Sequence, residues 1–205
     1  VDAEDGFGNA VNVGRTVREM ESAGVSGIEI EDNFVPKRFN VSDPGLISKE
    51  EQVGKLEAAV AARVDPTTVI VARTAALGLC SLDEAVDRIA AYSQTGAEAL
   101  MLTGASSREQ FQAVHQVTQL PICVLSPPAD IRNDSAFLAA NGVKILMLGN
   151  PTFAVAVKAI HDSLEHLKKG GSLEDLAPGQ ATPDLLRSVN RTSEFMGLQD
   201  KYLRP

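Results

Sequence analysis

Short apolar runs alternate with longer amphipathic patterns along most of this chain. The apolar runs predict strands at 27–31, 67–73, 99–103, 122–125 and 144–148. The amphipathic patterns predict helices at 9–23, 48–63, 81–95, 107–117, 130–141 and 152–169. Strands that alternate with helices in this way are typical of parallel βα units. The chain is therefore predicted to be an α/β protein, either a barrel or a doubly wound sheet.

The number of strands bears on this choice. Residues 1–3 are interpreted as the carboxyl end of a strand, which gives six strands in all. A closed (β/α)8 barrel has eight strands and carries its active site at their carboxyl ends. We therefore expect either that two strands upstream are missing from this sequence or that the sheet closes differently. The incomplete barrel domain is expected to span 1–169, followed by a linker and C-terminal helical extension at 170–205 that packs on a neighbouring subunit.

Composition excludes several classes of partner. With 205 residues and 44% hydrophobic side chains, the chain has room for one sizeable core. Its formal charge of −8, with scattered Lys and Arg, argues against nucleic acids and anionic membranes as partners. No apolar run approaches the roughly 18 residues of a membrane span, and no signal peptide pattern opens the chain. We expect a cytoplasmic protein.

The two cysteines, Cys80 and Cys123, carry no sign of chemistry. They lack metal-ligand spacing and the setting of a secreted disulfide framework. No base lies near either of them in the sequence. Both are predicted to be buried thiols.

Carboxylates cluster at two predicted strand ends. Asp2 and Glu4 share strand parity in the loop at 1–9, where Gly6 and Gly8 permit unusual backbone conformations. Glu31 ends the next strand. Hard cations such as Mg²⁺ take oxygen ligands, often one or two carboxylates completed by waters and substrate. Although solvated loop carboxylates are the alternative, two clusters on successive strands favour a site for Mg²⁺ or Mn²⁺ at Asp2, Glu4 and Glu31.

The stretch 33–46 follows without clear periodicity and contains Lys37 and Arg38. Irregular loops of this length in compact domains are usually functional or disordered. Because the two cations follow the acidic strand end, we expect this loop to act as a lid over the site. A solvated loop is an equally good interpretation of Lys37 and Arg38.

Five motifs together identify a resemblance. They are Asp-Ala-Glu-Asp-Gly-Phe-Gly-Asn at 2–9, Gly-Ile-Glu-Ile-Glu-Asp at 27–32, Pro-Lys-Arg-Phe at 36–39, Ile-Ser-Lys-Glu-Glu at 47–51 and Val-Ala-Arg-Thr at 71–74. In this order they resemble the isocitrate lyase/phosphoenolpyruvate mutase superfamily, and most of all its oxaloacetate decarboxylase branch. The resemblance covers essentially the whole chain. It implies a (β/α)8 barrel that binds Mg²⁺ and a 2-oxo or 2-hydroxy acid, assembled as a tetramer from dimers that exchange a C-terminal helix.

The resemblance also implies roles for single residues. Asp2 would hold Mg²⁺ most directly, and Glu4 and Glu31 would act through its waters. Arg73 would bind the substrate carboxylate, for which its planar guanidinium is suited. Further residues are assigned to substrate binding or catalysis on the same basis: Gly6, Lys37, Arg38 and Asn150.

Departures from the family pattern leave the reaction open. Phe39 and Asn40 stand where the lyase branches carry an acid/base Cys, and Ala75 replaces a common polar residue. Asn150 stands where the decarboxylase branch carries a His, and a helix cap is its alternative role. Decarboxylation of oxaloacetate to pyruvate and CO₂ through a metal-stabilised enolate needs no Cys, so it is preferred. Cleavage of an alkylmalate or methylisocitrate-like 2-hydroxy diacid and a catalytically inactive relative remain as alternatives.

Overall fold

The structure is a computed structural model that describes residues 1–36, 39–40 and 45–203. These residues form two compact units, Val1–Gly149 and Asn150–Pro205. None of the described helices combines the length and apolar character of a membrane span. Lys37 and Arg38, predicted to bind or act on substrate, lie outside the described residues.

The first unit is built on a five-stranded parallel sheet. Its strands are β1 (Gly27–Glu31), β2 (Val69–Thr74), β3 (Ala99–Leu102), β4 (Ile122–Leu125) and β5 (Val143–Met147). The strands are neighbours in their chain order, from β1 to β5. A doubly wound sheet would reverse its strand order at a switch point. The described order therefore fits part of a barrel wall, and the predicted α/β class with a parallel sheet is confirmed.

Seven helices connect and flank these strands among the residues of the first unit that the structure describes. They are α1 (Ala10–Ser22), α2 (Lys49–Ala62), α3 (Ala76–Leu79), α4 (Leu82–Tyr92), α5 (Arg108–Val117), α6 (Ala129–Arg132) and α7 (Ser135–Ala140). Side chains at their starts explain where several begin: Ser48 accepts a hydrogen bond from the Glu51 backbone N–H and Ser81 accepts one from that of Glu84. The sequence predicted one helix at 130–141, but Asp134 caps a new helix there by accepting from the Phe137 N–H.

The core lies between the sheet and these helices. Strand residues that face the helices are fully buried, as at Ile28, Ile30, Ile70 and Ala72. Side chains alternate across a strand, so the residues between them point to the opposite face of the sheet. Glu29, Glu31, Arg73 and Met101 belong to that opposite face. The helices thus cover one face, and the charged residues of β1 and β2 share the other.

The second unit contains only helices among its described residues. They are α8 (Pro151–Lys168), a 3₁₀ helix (Glu174–Gly179), α9 (Pro183–Val189) and α10 (Thr192–Tyr202). None of these helices contains a buried residue. The helical extension predicted within 170–205 is divided at Arg191, whose φ of 52° is left-handed. We predicted that the barrel domain ends at residue 169. The two compact units instead divide after Gly149, so that α8 is grouped with the C-terminal helices.

Candidate active site

The N-terminal residues extend the sheet beyond β1. Asp2 forms an isolated parallel bridge with Glu29, and the Ala3 N–H donates to the Glu29 carbonyl at 2.9 Å. Ala3 is fully buried. The chain then turns at Glu4, whose φ of 50° is left-handed and whose N–H donates to Asp2 Oδ1 at 2.8 Å. This geometry agrees with the interpretation of residues 1–3 as a strand end that opens into a loop.

The acidic loop at 1–9 requires glycine at position 6. Gly6 has a φ of 82°, and a Cβ built on it would overlap the side chain of Val13. The Thr16 hydroxyl donates to the Gly6 carbonyl at 2.9 Å. Gly6 is buried and is not among the residues that line the cavity described below. Its predicted contact with substrate stays a prediction, whereas its packing against α1 is a structural requirement.

A buried lysine anchors the same loop from α2. Lys55 is 2% exposed, and its Nζ donates to the Asp5 carbonyl at 3.1 Å and lies 3.4 Å from Asp5 Oδ2. Sequence reasoning missed this contact. Lys55 occupies an apolar face of its predicted helix, and a charged residue at a core position is rarely buried without a partner. A lysine at a core position of the predicted helix could therefore have indicated a buried partner for Lys55.

Glu31 and Arg73 are cross-strand partners at the carboxyl ends of β1 and β2. Glu31 is 4% exposed, and its Oε2 lies 2.9 Å from Arg73 Nε. Burial raises the pKa of the Glu31 carboxyl, while Asn33 and Arg73 oppose this and the charges of Asp2 and Glu4 add to it. The structure thus brings together the two strand-end residues that the sequence assigned to metal and substrate.

Arg73 is surrounded by carboxylates. Its Nη1 donates to Asp2 Oδ2 and to Glu29 Oε1, each at 2.6 Å. Burial acts to lower the pKa of Arg73, but the hydrogen bond to Glu29 and the charges of Glu31 and Asp2 outweigh it and raise that pKa. Glu29 was not singled out in the sequence. Glu29 and Glu31 are two residues apart on one strand, and this spacing alone indicates that their side chains lie on the same face of the sheet.

A cavity of about 620 Å³ opens beside these residues. Glu4, Glu31 and Arg73 line one part of it. The other lining residues are uncharged and lie in α3 or just after β1, β2 and β3: Asn33, Phe34, Val35, Ala75, Gly78, Leu79, Thr103 and Gly104. The lining thus combines charged residues with polar and apolar ones, as a site for a small organic acid would.

The carboxylates of this site fit a hydrated hard cation. Among residues 1–36, 39–40 and 45–203, no group of three or more His, Cys, Asp and Glu side chains converges closely enough to hold a metal ion. Glu31 Oε2 is nevertheless buried without a hydrogen-bond partner, because its approach to Arg73 is not aligned for one. Mg²⁺ usually keeps several waters and uses one or two carboxylates. The carboxylates of Asp2, Glu4 and Glu31 are oxygen donors of the kind that such an ion takes, directly or through its waters.

Asn150 begins the second unit and precedes α8. Its side chain forms no capping hydrogen bond, although its carbonyl accepts from the Phe153 N–H at 3.2 Å. The side-chain cap considered for Asn150 is therefore absent. Its predicted catalytic role stays a prediction.

The two cysteines are free and only partly buried, so the prediction of buried thiols was too strong. Burial raises the pKa of both thiols. They are consequently protonated at neutral pH, which argues against a nucleophilic role.

Comparison with known proteins identifies the family. The model of the phosphoenolpyruvate phosphomutase family matches residues 1–168. A protein of Rhodopseudomonas palustris (strain HaA2) named oxaloacetate decarboxylase is 45% identical over 205 residues, which cover 97% of this chain and 70% of that protein. The crystal structure of phosphoenolpyruvate phosphomutase from Streptomyces platensis subsp. rosaceus superposes with a TM-score of 0.82 at 30% identity, covering 99% of this chain and 72% of that one.

A second solved structure is that of phosphonopyruvate hydrolase in complex with oxalate and Mg²⁺. It superposes with a TM-score of 0.79 at 30% identity and covers 99% of this chain and 72% of its own. The family model covers most of the chain, and the similar structures extend over nearly all of it. The resemblance inferred from the five motifs is confirmed: the chain belongs to the phosphoenolpyruvate phosphomutase family, within the phosphoenolpyruvate mutase/isocitrate lyase superfamily.

Proposed function

We propose that this protein is a carbon–carbon lyase that decarboxylates oxaloacetate, or a similar 2-oxo diacid, to pyruvate and CO₂ with the help of Mg²⁺. The observation that carries the proposal is the Arg73 guanidinium, held among carboxylates beside a cavity at the carboxyl ends of the strands. The similarity to a protein named oxaloacetate decarboxylase supports the choice of reaction.

Asp2, Glu4 and Glu31 are the proposed ligands of Mg²⁺, for which Mn²⁺ can substitute. Asp2 is 46% exposed at its side chain, so it is accessible to a direct interaction. Glu31 is far more buried and would act through water. Mg²⁺ in the complex of phosphonopyruvate hydrolase with oxalate supports a metal at this site. When bound, the ion supplies Lewis-acid chemistry by drawing electron density from the 2-oxo group.

Arg73 is the proposed partner of a substrate carboxylate. Its guanidinium remains charged and offers donors in a fixed planar fork. The neighbouring Glu29 and Asp2 hold Nη1 in place before substrate arrives. Because a preorganised cation needs little rearrangement during the reaction, it stabilises negative charge that develops in the transition state.

The reaction itself needs no protein nucleophile. The C3–C4 bond of oxaloacetate breaks, its electron pair passes to the C2–C3 unit, and CO₂ leaves. The resulting enolate of pyruvate takes a proton from solvent at C3. The Cys80 thiol, whose pKa burial raises, has no part in this sequence.

Three further predicted residues complete the proposal. Lys37 and Asn150 are proposed catalytic residues, and Arg38 is proposed to bind substrate with Arg73. Lys37 and Arg38 would supply positive charge near a dianionic substrate. Substitutions that remove the charge of Lys37 or Arg38, or the side-chain amide of Asn150, will assign these roles when their kcat and KM are compared.

We also propose a cytoplasmic homotetramer, a dimer of dimers in which the C-terminal helices pack on neighbouring subunits. Large apolar side chains on α8 are exposed: Phe153, Val155, Val157, Ile160 and Leu164. An exposed apolar set of this size is a common mark of a protein interface. Light scattering coupled to size-exclusion chromatography measures the oligomeric state directly.

The test of the reaction is release of pyruvate from oxaloacetate. The rate with protein and Mg²⁺ is compared with the rate of Mg²⁺ alone, because the free ion decarboxylates oxaloacetate slowly. Arg73→Ala should remove the enzymatic rate, whereas Arg15→Ala, which removes a surface cation paired with Glu19, should retain it. Release of a carbonyl fragment from a 2-hydroxy diacid would instead indicate a lyase. Absence of turnover with both substrate classes would indicate an inactive relative.

A further inference from the structure

A buried hydrogen bond joins the two residues that follow Glu31 and Arg73 in the chain, Asp32 just beyond the end of β1 and Thr74 at the end of β2. Asp32 follows Glu31, Thr74 follows Arg73, and both are fully buried. The Thr74 hydroxyl donates to Asp32 Oδ2 at 2.9 Å. Successive residues of a strand point to opposite faces. One contact on the helix side of β1 and β2 therefore lies directly behind two proposed site residues.

Helix α4 supplies the other partners of Asp32. The Tyr92 hydroxyl donates to Asp32 Oδ2 at 2.8 Å, and Arg88 Nη1 lies 3.7 Å from the same oxygen. Arg88 Nη1 also donates to the Ile47 carbonyl at 2.9 Å. Burial raises the pKa of the Tyr92 phenol, so this group is a hydrogen-bond donor at neutral pH. Asp32 is consequently tied to α4 and, through Arg88, to the segment that leads into α2.

The backbone strengthens the same connection. The Ile47 N–H donates to the Asp32 carbonyl at 2.9 Å. Asn33 and Leu46 form an isolated antiparallel bridge beside it. The residues after Glu31 are therefore fixed by both main-chain and side-chain contacts.

Fold stability alone is a poor explanation for this cluster. A fully buried carboxylate carries a large desolvation cost, which an apolar residue of similar volume would avoid. Asp32 Oδ1 has no hydrogen-bond partner among the described residues, which adds to that cost. Buried polar groups that weaken the fold are often retained for the geometry that they impose.

We infer that Asp32, Thr74 and Tyr92 are positioning residues that hold Glu31 and Arg73 at the spacing the site requires. They act from the helix side of the sheet and contact neither substrate nor cofactor. The part of the inference that concerns turnover rests on the proposed decarboxylation. The part that concerns the placement of Arg73 does not, because it can be measured in protein without metal or substrate.

Thr74 offers a matched set of variants. Thr74→Val keeps the shape but removes the hydroxyl, whereas Thr74→Ser keeps the hydroxyl. Thr95→Val is the control, because Thr95 is also buried and its hydroxyl donates to the Tyr92 carbonyl at 2.7 Å, without contact to Asp32. Loss of the buried hydroxyl should destabilise both Val variants, and Thr74→Val by more because the partner of its hydroxyl is a buried carboxylate.

The first measurement is the rate at which phenylglyoxal modifies Arg73 in metal-free protein, followed by peptide mass spectrometry. Arg73 is 19% exposed at its side chain, so it should react slowly in the wild type. We expect Thr74→Val to raise this rate severalfold, and Thr74→Ser and Thr95→Val to leave it near the wild-type rate. An unchanged rate in Thr74→Val, or an equal rise in Thr95→Val, would overturn the inference.

The second measurement is turnover of oxaloacetate with saturating Mg²⁺. Thr74→Val should lower kcat about tenfold with a smaller change in KM, and Thr74→Ser should restore most of it. A Thr74→Val variant with wild-type kcat would contradict the role in turnover. If the wild type itself has no activity above the metal background, the proposed function fails while the rate of Arg73 modification still decides the inference.

Discussion

Arg73 Nη1 lies 2.6 Å from Asp2 Oδ2, although 71 residues separate the two in the chain. Arg73, the proposed partner of the substrate carboxylate, is therefore paired with Asp2, a proposed ligand of the metal. Glu29 and Glu31 pair with the same guanidinium, and Glu4 lines the adjoining cavity. Four carboxylates around one described cation leave a formal excess of negative charge at this part of the site. Such a site should repel a dianionic substrate until a divalent cation binds.

The first prediction is that acid binding depends on metal. Oxalate, which resembles the enolate of pyruvate in charge and shape, should bind at least tenfold more weakly without Mg²⁺ than with it. Isothermal titration calorimetry of oxalate with and without Mg²⁺ measures this difference. Equal affinities under the two conditions would show that the carboxylates do not govern substrate binding.

The second prediction concerns Asp2. Asp2→Asn keeps the size of the side chain but removes its charge, so Mn²⁺ affinity should fall about tenfold or more, about 1.4 kcal/mol. The affinity can be followed through the paramagnetic signal of free Mn²⁺. Asp87→Asn is the matched control, because Asp87 pairs with Lys49 at the protein surface. A similar loss in both variants would point to a general effect of charge instead of a ligand role.

The third prediction concerns Glu29. Glu29→Gln weakens the hold on Arg73 Nη1 while it leaves Asp2, Glu4 and Glu31 in place. We expect kcat to fall about tenfold and Mn²⁺ affinity to change much less, because Glu29 positions Arg73, the proposed partner of the substrate carboxylate. Steady-state kinetics and Mn²⁺ titration separate the two effects. Glu19→Gln, at an exposed position of α1, should change neither quantity.

The fold could be predicted from the sequence where local signals agree with the tertiary structure. Apolar patterns predict the strands β1 and β4 and the helices α2 and α5, and capping residues mark where the two helices begin. The predicted bounds of all four elements agree with the structure within one or two residues. Helix α3 was missed because four residues are too few to show a helical period.

The site could be predicted in part for the same reason. Glu31 and Arg73 lie at the carboxyl ends of apolar strands, so chain order alone placed both at one edge of a parallel sheet. The roles of Lys55 and Asp32 depend on contacts across 50 and 42 residues, to Asp5 and Thr74 respectively. No local pattern reveals a contact of that range. Glu29 is an intermediate case. Its position two residues before Glu31 on one strand indicated which face of the sheet it occupies, but not that Arg73 is its partner.

The last prediction links Glu31 to stability. Burial raises the pKa of its carboxyl in the folded protein above the value in the unfolded chain, which is about 4.3. The stability that this group contributes is therefore fully present below about pH 4.3, and it is lost as the pH rises through the folded pKa. Glutamine does not titrate, so Glu31→Gln avoids that loss. In metal-free protein the stability of the variant relative to the wild type should therefore increase as the pH rises above about 4.3.

Urea denaturation of both proteins at several pH values measures this difference. Glu19→Gln, at an exposed site, should show no such trend. A difference between Glu31→Gln and wild type that stays constant or falls as the pH rises would contradict the prediction. It would mean that Arg73 and Asn33 stabilise the Glu31 carboxylate more than burial destabilises it. A gain in stability accompanied by weaker Mn²⁺ binding would show that Glu31 is retained for the metal at a cost to the fold.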